Sequence, residues 1–339
     1  FGKNILKMGG SAQLIRERVR SHYQVKSPAL KMKCLGSEFS NPVGIAAGFD
    51  KNGEITNSLI DLGFGFAEIG TVTPYAQEGE SKPRLFRLPK DEGMINRLAF
   101  NGEGAERVKE RMEAMGDVSA PISVNIGKMN QSGPEDAVKD YVKVFETLYD
   151  FPDYFVINVS CPNTPEVYDE SSPERLAEVF GALQDKNKDK KPIAVKVGPD
   201  YNTEDKLTNL SKAIEVAEDQ GIKAIVATNT TTDHSGLESK HGQEWGGVSG
   251  RPLEQKATET VECIYGLTDL PVIGVGGVDS AESAYKKIRH GATLVQTYTG
   301  FVYKGPSLAH EITSGLIDLM ERDGYTSIEE VVGVDCKEV

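Results

Sequence analysis

Residues 153–164 read Asp-Tyr-Phe-Val-Ile-Asn-Val-Ser-Cys-Pro-Asn-Thr, and the interpretation of the chain starts from this stretch. Its apolar run is rich in aromatic and β-branched residues, which predicts a buried strand. Pro162 cannot continue a central strand, so the strand must stop there. Amides, hydroxyls and the thiol of Cys161 therefore cluster where a strand gives way to a loop, which is where scaffolds carry chemistry. A polar turn with a structural cysteine is the alternative interpretation.

The same pattern recurs eight times from Pro42 onward. Short apolar runs end in Gly, Asn, Thr or Ser, and most are followed by polar stretches of helical character. Continuous apolar strands alternating with helices are typical of a parallel sheet covered on both faces. Eight such units over about 250 residues predict an α/β fold of the (β/α)8 TIM-barrel type; a doubly wound sheet, the competitor, usually has fewer strands. The predicted strands are 43–48, 66–71, 122–127, 154–160, 193–198, 224–229, 271–277 and 294–299, and the predicted helices are 54–62, 103–115, 135–148, 173–186, 203–220, 252–265, 281–290 and 306–322.

Composition excludes several classes of protein. The 339 residues carry a formal net charge of −13, which argues against a nucleic-acid binder because such a protein needs a basic surface. Four cysteines lie far apart without a CxxC pair, so neither a disulfide framework nor a metal site is predicted. No run is long and apolar enough to span a membrane, and no signal peptide is recognisable. A cytoplasmic location is expected, with peripheral contact on the cytoplasmic face of the membrane as the alternative.

The chain divides into a predicted N-terminal helical extension (1–40), a barrel (41–325) and a C-terminal tail (326–339). Apolar residues alternate with Lys and Arg in the extension. Residues 1–25 therefore form either a surface helix that caps the barrel or an amphipathic contact with a membrane surface. The connection 72–102 after the second strand is too long for a simple loop, and 84–88 alternates polar and apolar residues. A small β insertion is predicted there.

The strand ends identify the candidate site, because the carboxyl ends of barrel strands form the active-site rim. Only Asp50 supplies a carboxylate there and no histidine does, which argues against a general hydrolase. A ring of amides suits a flat heterocycle with several donors and acceptors, and two lysines could stabilise negative charge on a ligand or a reduced cofactor. The strand-end residues are Ala47, Gly48, Lys51, Thr71, Asn125, Asn158, Asn163, Lys196, Thr228, Asn229, Thr230, Gly276, Gly277, Tyr298 and Thr299.

The last two strands end in glycine-rich turns. Residues 274–277 read Gly-Val-Gly-Gly, and 304–306 open the final predicted helix. Backbone amides after strands seven and eight and at a helix N-terminus form the usual phosphate cradle of barrels. Ser249-Gly250-Arg251 after strand six is expected to reinforce this cradle.

Three interpretations of the chemistry are open from the residues alone. Cys161 is a candidate general base or nucleophile, for which its thiol must reach a substrate proton or carry a lowered pKa. Alternatively, Lys196 is the Schiff-base amine of a flavin-free, phosphate-binding lyase. A non-catalytic barrel is the third interpretation.

Several long motifs, in order along the chain, resemble the dihydroorotate dehydrogenase family over residues 30–320. The first-strand signature of this family matches 41–54, Asn-Pro-Val-Gly-Ile-Ala-Ala-Gly-Phe-Asp-Lys-Asn-Gly-Glu. Residues 68–74, 82–88 and 95–97 are similar to the class 2, quinone-using branch, and 249–253 and 273–277 complete the match. The family is the FMN enzyme of pyrimidine biosynthesis that oxidises dihydroorotate to orotate.

The resemblance implies roles for individual residues. Cys161 would be the base that removes the C5 proton while hydride passes from C6 to the flavin. FMN would be held by Ala47, Gly48, Lys51, Thr71, Asn125, Asn158, Lys196 and Thr228, with its phosphate at Gly250, Gly277, Tyr298 and Thr299. Dihydroorotate would contact Lys51, Asn96, Arg97, Leu98, Ala99, Phe100, Asn158, Asn163, Asn229 and Thr230.

The chain departs from the class 2 pattern at three places. Class 2 members usually have Ser at the base position, whereas Cys161 is similar to class 1. Residues 166–168 read Glu-Val-Tyr where class 2 continues Gly-Leu-Arg, and the N-terminal extension is short. Quinone is the expected electron acceptor, with fumarate or NAD as the alternative; the NAD branch needs an iron–sulfur partner, and this chain has no cysteine cluster for one. The oligomeric state is left open.

Overall fold

Eight parallel strands, each followed in the chain by at least one helix, close into a barrel in the computed structural model, which describes residues 13–160, 171–201 and 203–336. The strands in chain order are β1 (Met32–Cys34), β2 (Ser37–Phe39), β3 (Val43–Asp50), β4 (Phe66–Val72), β5 (Leu85–Leu88), β6 (Gly93–Asn96), β7 (Ile122–Ile126), β8 (Tyr154–Asn158), β9 (Ile193–Val197), β10 (Ala224–Ala227), β11 (Gly247–Gly250), β12 (Val272–Val275) and β13 (Ala292–Thr297). The helices are α1 (Gln13–Tyr23), α2 (Thr56–Asp61), α3 (Ala105–Met115), α4 (Pro134–Leu148), α5 (Pro173–Lys186), α6 (Glu204–Asp219), α7 (Glu254–Tyr265), α8 (Ala281–Arg289), α9 (Thr299–Lys304) and α10 (Leu308–Asp323).

The barrel strands follow one another around the ring in the order β3, β4, β7, β8, β9, β10, β12 and β13, and β13 pairs with β3. Every residue of β7, β8 and β9 is buried. A strand packed on the barrel interior on one side and on helices on the other must be apolar on both faces. The continuous apolar runs therefore become barrel strands, and the predicted TIM barrel is confirmed.

Local signals set the helix boundaries. Pro134 and Pro173 occupy the first turns of α4 and α5, where the missing N–H costs nothing. The Ser280 side chain accepts from the backbone N–H of Ser283 and forms a capping box at the start of α8. Helix α10 ends at Gly324, whose φ of +83° is the left-handed conformation common at helix ends.

A three-stranded sheet, β5–β6–β11, stands beside the barrel mouth. Strands β5 and β6 form the hairpin predicted in the long connection, with the predicted strand 84–88 corresponding to β5. Strand β11 comes from the segment after β10 and pairs antiparallel with β6, from Gly247 opposite Asn96 to Gly250 opposite Gly93. The sheet is thus assembled from two segments of the chain, of which the sequence indicated only the first.

The described part of the N-terminal extension contains one helix and one hairpin. Asp61 on α2 accepts ion pairs from Arg16 and Arg20 on α1, and Gln24 bonds the Ile60 carbonyl. Because Arg16 also reaches Asn57, α1 runs in the same direction as α2 and its first residue lies toward the barrel mouth. The β1–β2 hairpin buries Phe39 against Phe66 at the opposite end of the barrel, so the extension is not helical throughout.

The C-terminal segment packs onto the barrel helices. Ile328 and Val331 are fully buried in a short 3-10 helix, Ile328–Val331. The Asp335 carboxylate pairs with Arg289 on α8 at 2.6 Å. Residues 325–336 are therefore part of the folded body.

Candidate active site

A deep cavity of about 1060 Å³, open mouth included, lies at the carboxyl ends of the barrel strands. Strands β3, β4, β8, β9, β12 and β13 and the segment that follows β10 all contribute lining residues, and the small sheet and the loop after β6 supply the upper wall. Most residues predicted for cofactor or substrate binding meet here. They are Ala47, Gly48, Lys51, Thr71, Asn96, Leu98, Ala99, Phe100, Asn158, Lys196, Thr228, Asn229, Thr230, Gly250, Gly277, Tyr298 and Thr299.

Two predicted residues are described but do not line the cavity, and two more lie outside the described residues. Asn125 is fully buried beneath the lining residues Thr71 and Asn158. Arg97 lies outside the cavity wall, where it pairs with Glu244 at 3.0 Å and stacks between aromatic rings. Cys161 and Asn163 lie outside the described residues, so the structure assigns them no position.

Asp50, the carboxylate predicted at the strand-end rim, does not line the cavity, whereas Glu92 and Asp279 do. Its carboxylate oxygens accept hydrogen bonds from the Glu54 and Ile55 backbone N–H groups and from the Thr56 hydroxyl, at 2.8, 3.0 and 2.7 Å. Asp50 therefore caps the start of α2, and its oxygens are occupied by the protein.

A chain of polar side chains runs across the cavity floor. The Thr71 hydroxyl donates to Asn125 Oδ1 at 2.5 Å, and Asn158 Nδ2 reaches both groups at 3.1 and 3.3 Å. Asn229 Nδ2 donates to Asn158 Oδ1 at 3.2 Å. Residues contributed by four strand ends are thus held in one hydrogen-bonded network, as the predicted amide ring requires.

Two buried residues of this network were not anticipated. Glu68 is fully buried in β4 and accepts from Asn125 Nδ2 and Gln296 Nε2, each at 2.7 Å. Gln296 lines the cavity, and its Oε1 has no hydrogen-bond partner among the described residues. A glutamate inside the otherwise apolar run 66–72 was the available signal, since buried charges are rare unless paired.

The glycine-rich turns form one end of the cavity. Gly250 and Gly277 have φ values of +89° and +73°, and a Cβ on Gly277 would lie 2.3 Å from Glu254 Cβ. Glycine at position 277 therefore lets this turn pack closely against the start of α7, while Gly250 and Gly277 themselves line the cavity. The Thr299 and Ser249 hydroxyls are 2.8 Å apart, and α9 begins at Thr299. Arg251 lies beside them and pairs with two carboxylates that also line the cavity, Glu92 at 2.5 Å and Asp279 at 3.5 Å.

The pKa values of the cavity tyrosine and of the described cysteines are raised, so none of these groups is an anion at neutral pH. Burial raises the pKa of Tyr298 to about 12, so it enters the cavity as a neutral phenol. Burial likewise raises the pKa of Cys34 to about 12, and those of Cys263 and Cys336 are also raised by burial. These three thiols are protonated at neutral pH. Within the described ranges, no group of three or more His, Cys, Asp or Glu side chains could hold a metal ion.

The cavity fits a planar, polar ligand that carries a phosphate. Buried Gln296 Oε1 and Thr230 Oγ1 have no partner among the described residues, and such groups are costly unless a ligand or water satisfies them. Lys51 and Lys196 supply positive charge, and the glycine turns leave room for a phosphate. Fold and site together define a TIM-barrel enzyme that binds a phosphate-bearing cofactor at its mouth.

Comparison with known proteins narrows this class. The family model described as dihydroorotate dehydrogenase matches residues 29–320. A curated dihydroorotate dehydrogenase (quinone) of Natronomonas pharaonis is 47% identical over 94% of this chain and 90% of its own, and one of Halobacterium salinarum is 45% identical over 96% and 93%. A crystal structure of DHODH from Eimeria tenella in complex with ferulenol superimposes with a TM-score of 0.87 at 31% identity, covering 97% of this chain and 96% of that one. The chain belongs to the dihydroorotate dehydrogenase family.

Family membership decides between the open interpretations. Members of this family are FMN-dependent enzymes that oxidise dihydroorotate in pyrimidine biosynthesis, so the predicted family, activity and cofactor are confirmed. The flavin-free lyase and the non-catalytic barrel are set aside. The roles of individual residues remain predictions.

Proposed function

We propose that this chain oxidises dihydroorotate to orotate with bound FMN and passes the electrons to a quinone. The observation that carries the proposal is the single cavity that joins an amide floor, two lysines and a glycine-rich cradle. The quinone acceptor is supported by similarity to relatives named dihydroorotate dehydrogenase (quinone), at 42–47% identity over most of the chain.

The residues present would hold FMN across the mouth of the barrel. The cradle at Gly250, Gly277, Tyr298 and Thr299 would bind the phosphate, because backbone amides and a helix start favour anions. Strand-end residues from β3, β4, β8, β9 and β10 would surround the flat ring system, and Asn125 would act from beneath them. When bound, FMN supplies the hydride acceptor.

Substrate would lie against the loop after β6 and the end of β10. Asn229 and Thr230 border the cavity there, opposite Asn96, and Lys51 would attract the substrate carboxylate. Oxidation removes a proton from C5 and a hydride from C6, which leaves the C5–C6 double bond of orotate. Cys161 takes the C5 proton in this proposal, and Lys196 stabilises the negative charge that develops in the cavity.

A row of aromatic rings supports an apolar approach to the cavity. Ring centroids lie 5.5 Å apart from Tyr298 to Phe49, 5.1 Å from Phe49 to Phe301 and 5.3 Å from Phe301 to Phe64. Tyr298 lines the cavity, whereas Phe64 borders a groove beside α1. We propose that the quinone approaches the flavin past Phe49 and Tyr298, the end of this row that lies at the cavity.

Helix α1 supports a peripheral membrane contact. Leu14 and Ile15 are 76% and 50% exposed at the end of α1 that lies toward the barrel mouth, and Arg16 and Arg18 follow them in the helix. An apolar quinone would reach the cavity most directly from such a surface. None of the helices in the described ranges is long and apolar enough to cross a bilayer.

Visible absorption tests this function most directly. The purified protein should be yellow and should bleach when dihydroorotate is added without oxygen. Colour should return on addition of a short-chain quinone, but not with fumarate or NAD. A yellow protein that is not bleached would contradict the substrate, and recovery with fumarate or NAD but not quinone would contradict the acceptor.

Vesicle binding tests the membrane contact separately. Co-sedimentation with vesicles of anionic and neutral lipids should fall in Leu14→Glu/Ile15→Glu, while oxidation with the soluble quinone stays unchanged. Leu267→Glu, at another exposed apolar position, is the matched control. Equal sedimentation of all three proteins would contradict the contact.

A further inference from the structure

Glu68 is a buried carboxylate with an unassigned role. It lies fully buried on β4, inside the barrel and beneath the cavity lining. We propose that Glu68 is the positioning residue that fixes the donor and acceptor direction of the amide side chains around the cofactor cavity. This inference rests on the proposed function, because it takes FMN as the ligand of the cavity.

The first step is chemical. An amide group donates from nitrogen and accepts at oxygen, whereas a carboxylate only accepts. Both Glu68 oxygens are used, Oε1 by Asn125 Nδ2 and Oε2 by Gln296 Nε2. Each of these amides is therefore held with its nitrogen toward Glu68 and its oxygen away from it.

The direction then passes from one amide to the next. Asn125 Oδ1 accepts from the Thr71 hydroxyl and from Asn158 Nδ2. With its nitrogen engaged, Asn158 accepts at Oδ1 from Asn229 Nδ2, and Asn229 Oδ1 accepts from the Thr230 backbone N–H at 2.9 Å. The amide groups of Asn125, Asn158 and Asn229 are thus each held in one orientation, from Glu68 to the substrate side of the cavity.

The second branch ends at the cavity itself. Because Gln296 Nε2 is bound to Glu68, Oε1 is the Gln296 atom left to accept a hydrogen bond, and it has no partner among the described residues. A buried acceptor held in this way favours a ligand with a matching donor. FMN offers such donors in its ring N–H and its ribityl hydroxyls.

Glu68→Gln tests the proposal with almost no change in volume. The new side chain has one acceptor and one amino group, so either Asn125 or Gln296 faces an amino group and must turn over. We expect the FMN dissociation constant of the apoprotein to rise at least tenfold, which corresponds to about 1.4 kcal/mol. The flavin midpoint potential should shift as well, because the polar groups around the ring are rearranged.

Moving the carboxylate from position 68 to one of its two partners should restore the hydrogen-bond direction of the remaining amide groups. In Glu68→Gln/Asn125→Asp, the new amide at position 68 can donate to the new carboxylate at position 125 and can accept from Gln296, so every other contact keeps its direction. Glu68→Gln/Gln296→Glu makes the same exchange on the other branch. Both double variants should regain FMN affinity close to that of the unaltered protein, because the hydrogen-bond directions around the cavity are restored.

A charge-matched control separates orientation from net charge. Glu68→Gln/Asn209→Asp restores the charge at an exposed position on α6 and should bind FMN as weakly as Glu68→Gln. Unchanged FMN affinity in Glu68→Gln, or no rescue by folded double variants, would overturn the proposal. If Glu68→Gln does not fold, recovery of folding in either exchange variant but not in the control supports it, and recovery in neither overturns it.

The FMN-binding test of Glu68 can be interpreted separately from the bleaching test of the proposed function. An unaltered protein that binds FMN but is not bleached by dihydroorotate contradicts the proposed function and leaves the FMN comparison valid. If the unaltered apoprotein takes up no FMN, the proposed function fails. The network is then judged by the apoprotein Tm, which should fall in Glu68→Gln and recover in the exchange variants; without that pattern, the proposal fails too.

Discussion

Asn158 and Lys196 are direct register partners on the neighbouring strands β8 and β9, and both are about 5% exposed at the cavity. The network holds Asn158, and the Ser160 hydroxyl donates to the Lys196 backbone carbonyl at 2.8 Å. The Lys196 ammonium is thus carried by a rigid strand end rather than by a loop. A fixed charge needs no reorganisation during the reaction, which is why preorganised groups are effective in catalysis.

Lys196→Met should slow the reduction of FMN by dihydroorotate about 100-fold or more, the usual cost of removing one preorganised charge-stabilising group. Anaerobic single-turnover absorbance measures this step without the quinone. Lys188→Met, which removes an exposed lysine just before β9, is the matched control. Equal rates in both variants would show that Lys196 does not act on the reaction.

Cys161→Ala should abolish oxidation of dihydroorotate while FMN stays bound, because only the base is removed. Cys161→Ser should keep part of the activity and shift its pH optimum upward, since a hydroxyl is harder to deprotonate than a thiol. The pH profile of kcat/KM measures this shift. Near-normal turnover in Cys161→Ala, or an unmoved profile in Cys161→Ser, would exclude Cys161 as the base.

Gly277→Ala should weaken FMN binding and lower the Tm. The added Cβ lies 2.3 Å from Glu254 Cβ, and overpacking of this kind costs about 1–3 kcal/mol in addition to the strain at positive φ. Gly236→Ala is a matched control with a φ of +77° and no atom within 4 Å of the new Cβ. FMN titration and thermal unfolding should separate the two variants; if both bind FMN equally well, the cradle does not need Gly277.

Lys287 is a fully buried lysine whose Nζ donates to the Thr258 hydroxyl at 2.8 Å. Burial lowers its pKa from 10.5 to about 7. Between pH 7 and 10.5 the unfolded chain binds one proton more than the folded protein, so the free energy of unfolding rises with pH by up to about 1.4 kcal/mol per unit. Below about pH 7 both states are protonated, and the contribution no longer changes.

Lys287→Met should therefore unfold at a higher temperature than the unaltered protein at pH 7, and should lose the rise in stability between pH 7 and 10. Thermal unfolding across this range is the measurement. Lys212→Met, which changes an exposed lysine on α6, should keep the rise. A parallel pH dependence in all three proteins would show that Lys287 is not held neutral by the fold.

The barrel was predictable because its strands are buried on both faces and form continuous apolar runs. Strand β11 was not recognised, since two of the four residues of Gly247–Gly250 are glycine and its partner β6 lies about 150 positions earlier. Pairing between such distant segments leaves no local signature. The hairpin β5–β6 does have a local signature, the alternation predicted in 84–88, and in the structure the residues of β5 alternate between exposed and buried.

The site was predictable where chemistry coincides with strand ends. Glu68 and Gln296 were missed because they lie within apolar runs that were assigned to the core. A charged residue inside such a run was a signal for Glu68, but the neutral Gln296 gave none. Arg97 was included with Asn96 as part of one motif, but the structure places Asn96 in the cavity wall and Arg97 outside it. Successive residues of an extended chain point in opposite directions, which separates these neighbours.

The pairing of β11 with β6 has a consequence for how the protein folds. The upper wall of the cavity joins the connection after the second barrel strand to the connection after the sixth, so it cannot form until most of the barrel has been assembled. Contacts over such long separations are slow to form because the loop between them must close first. During refolding, recovery of helical circular dichroism should therefore precede quenching of flavin fluorescence. Simultaneous recovery would show that the distant strands pair early.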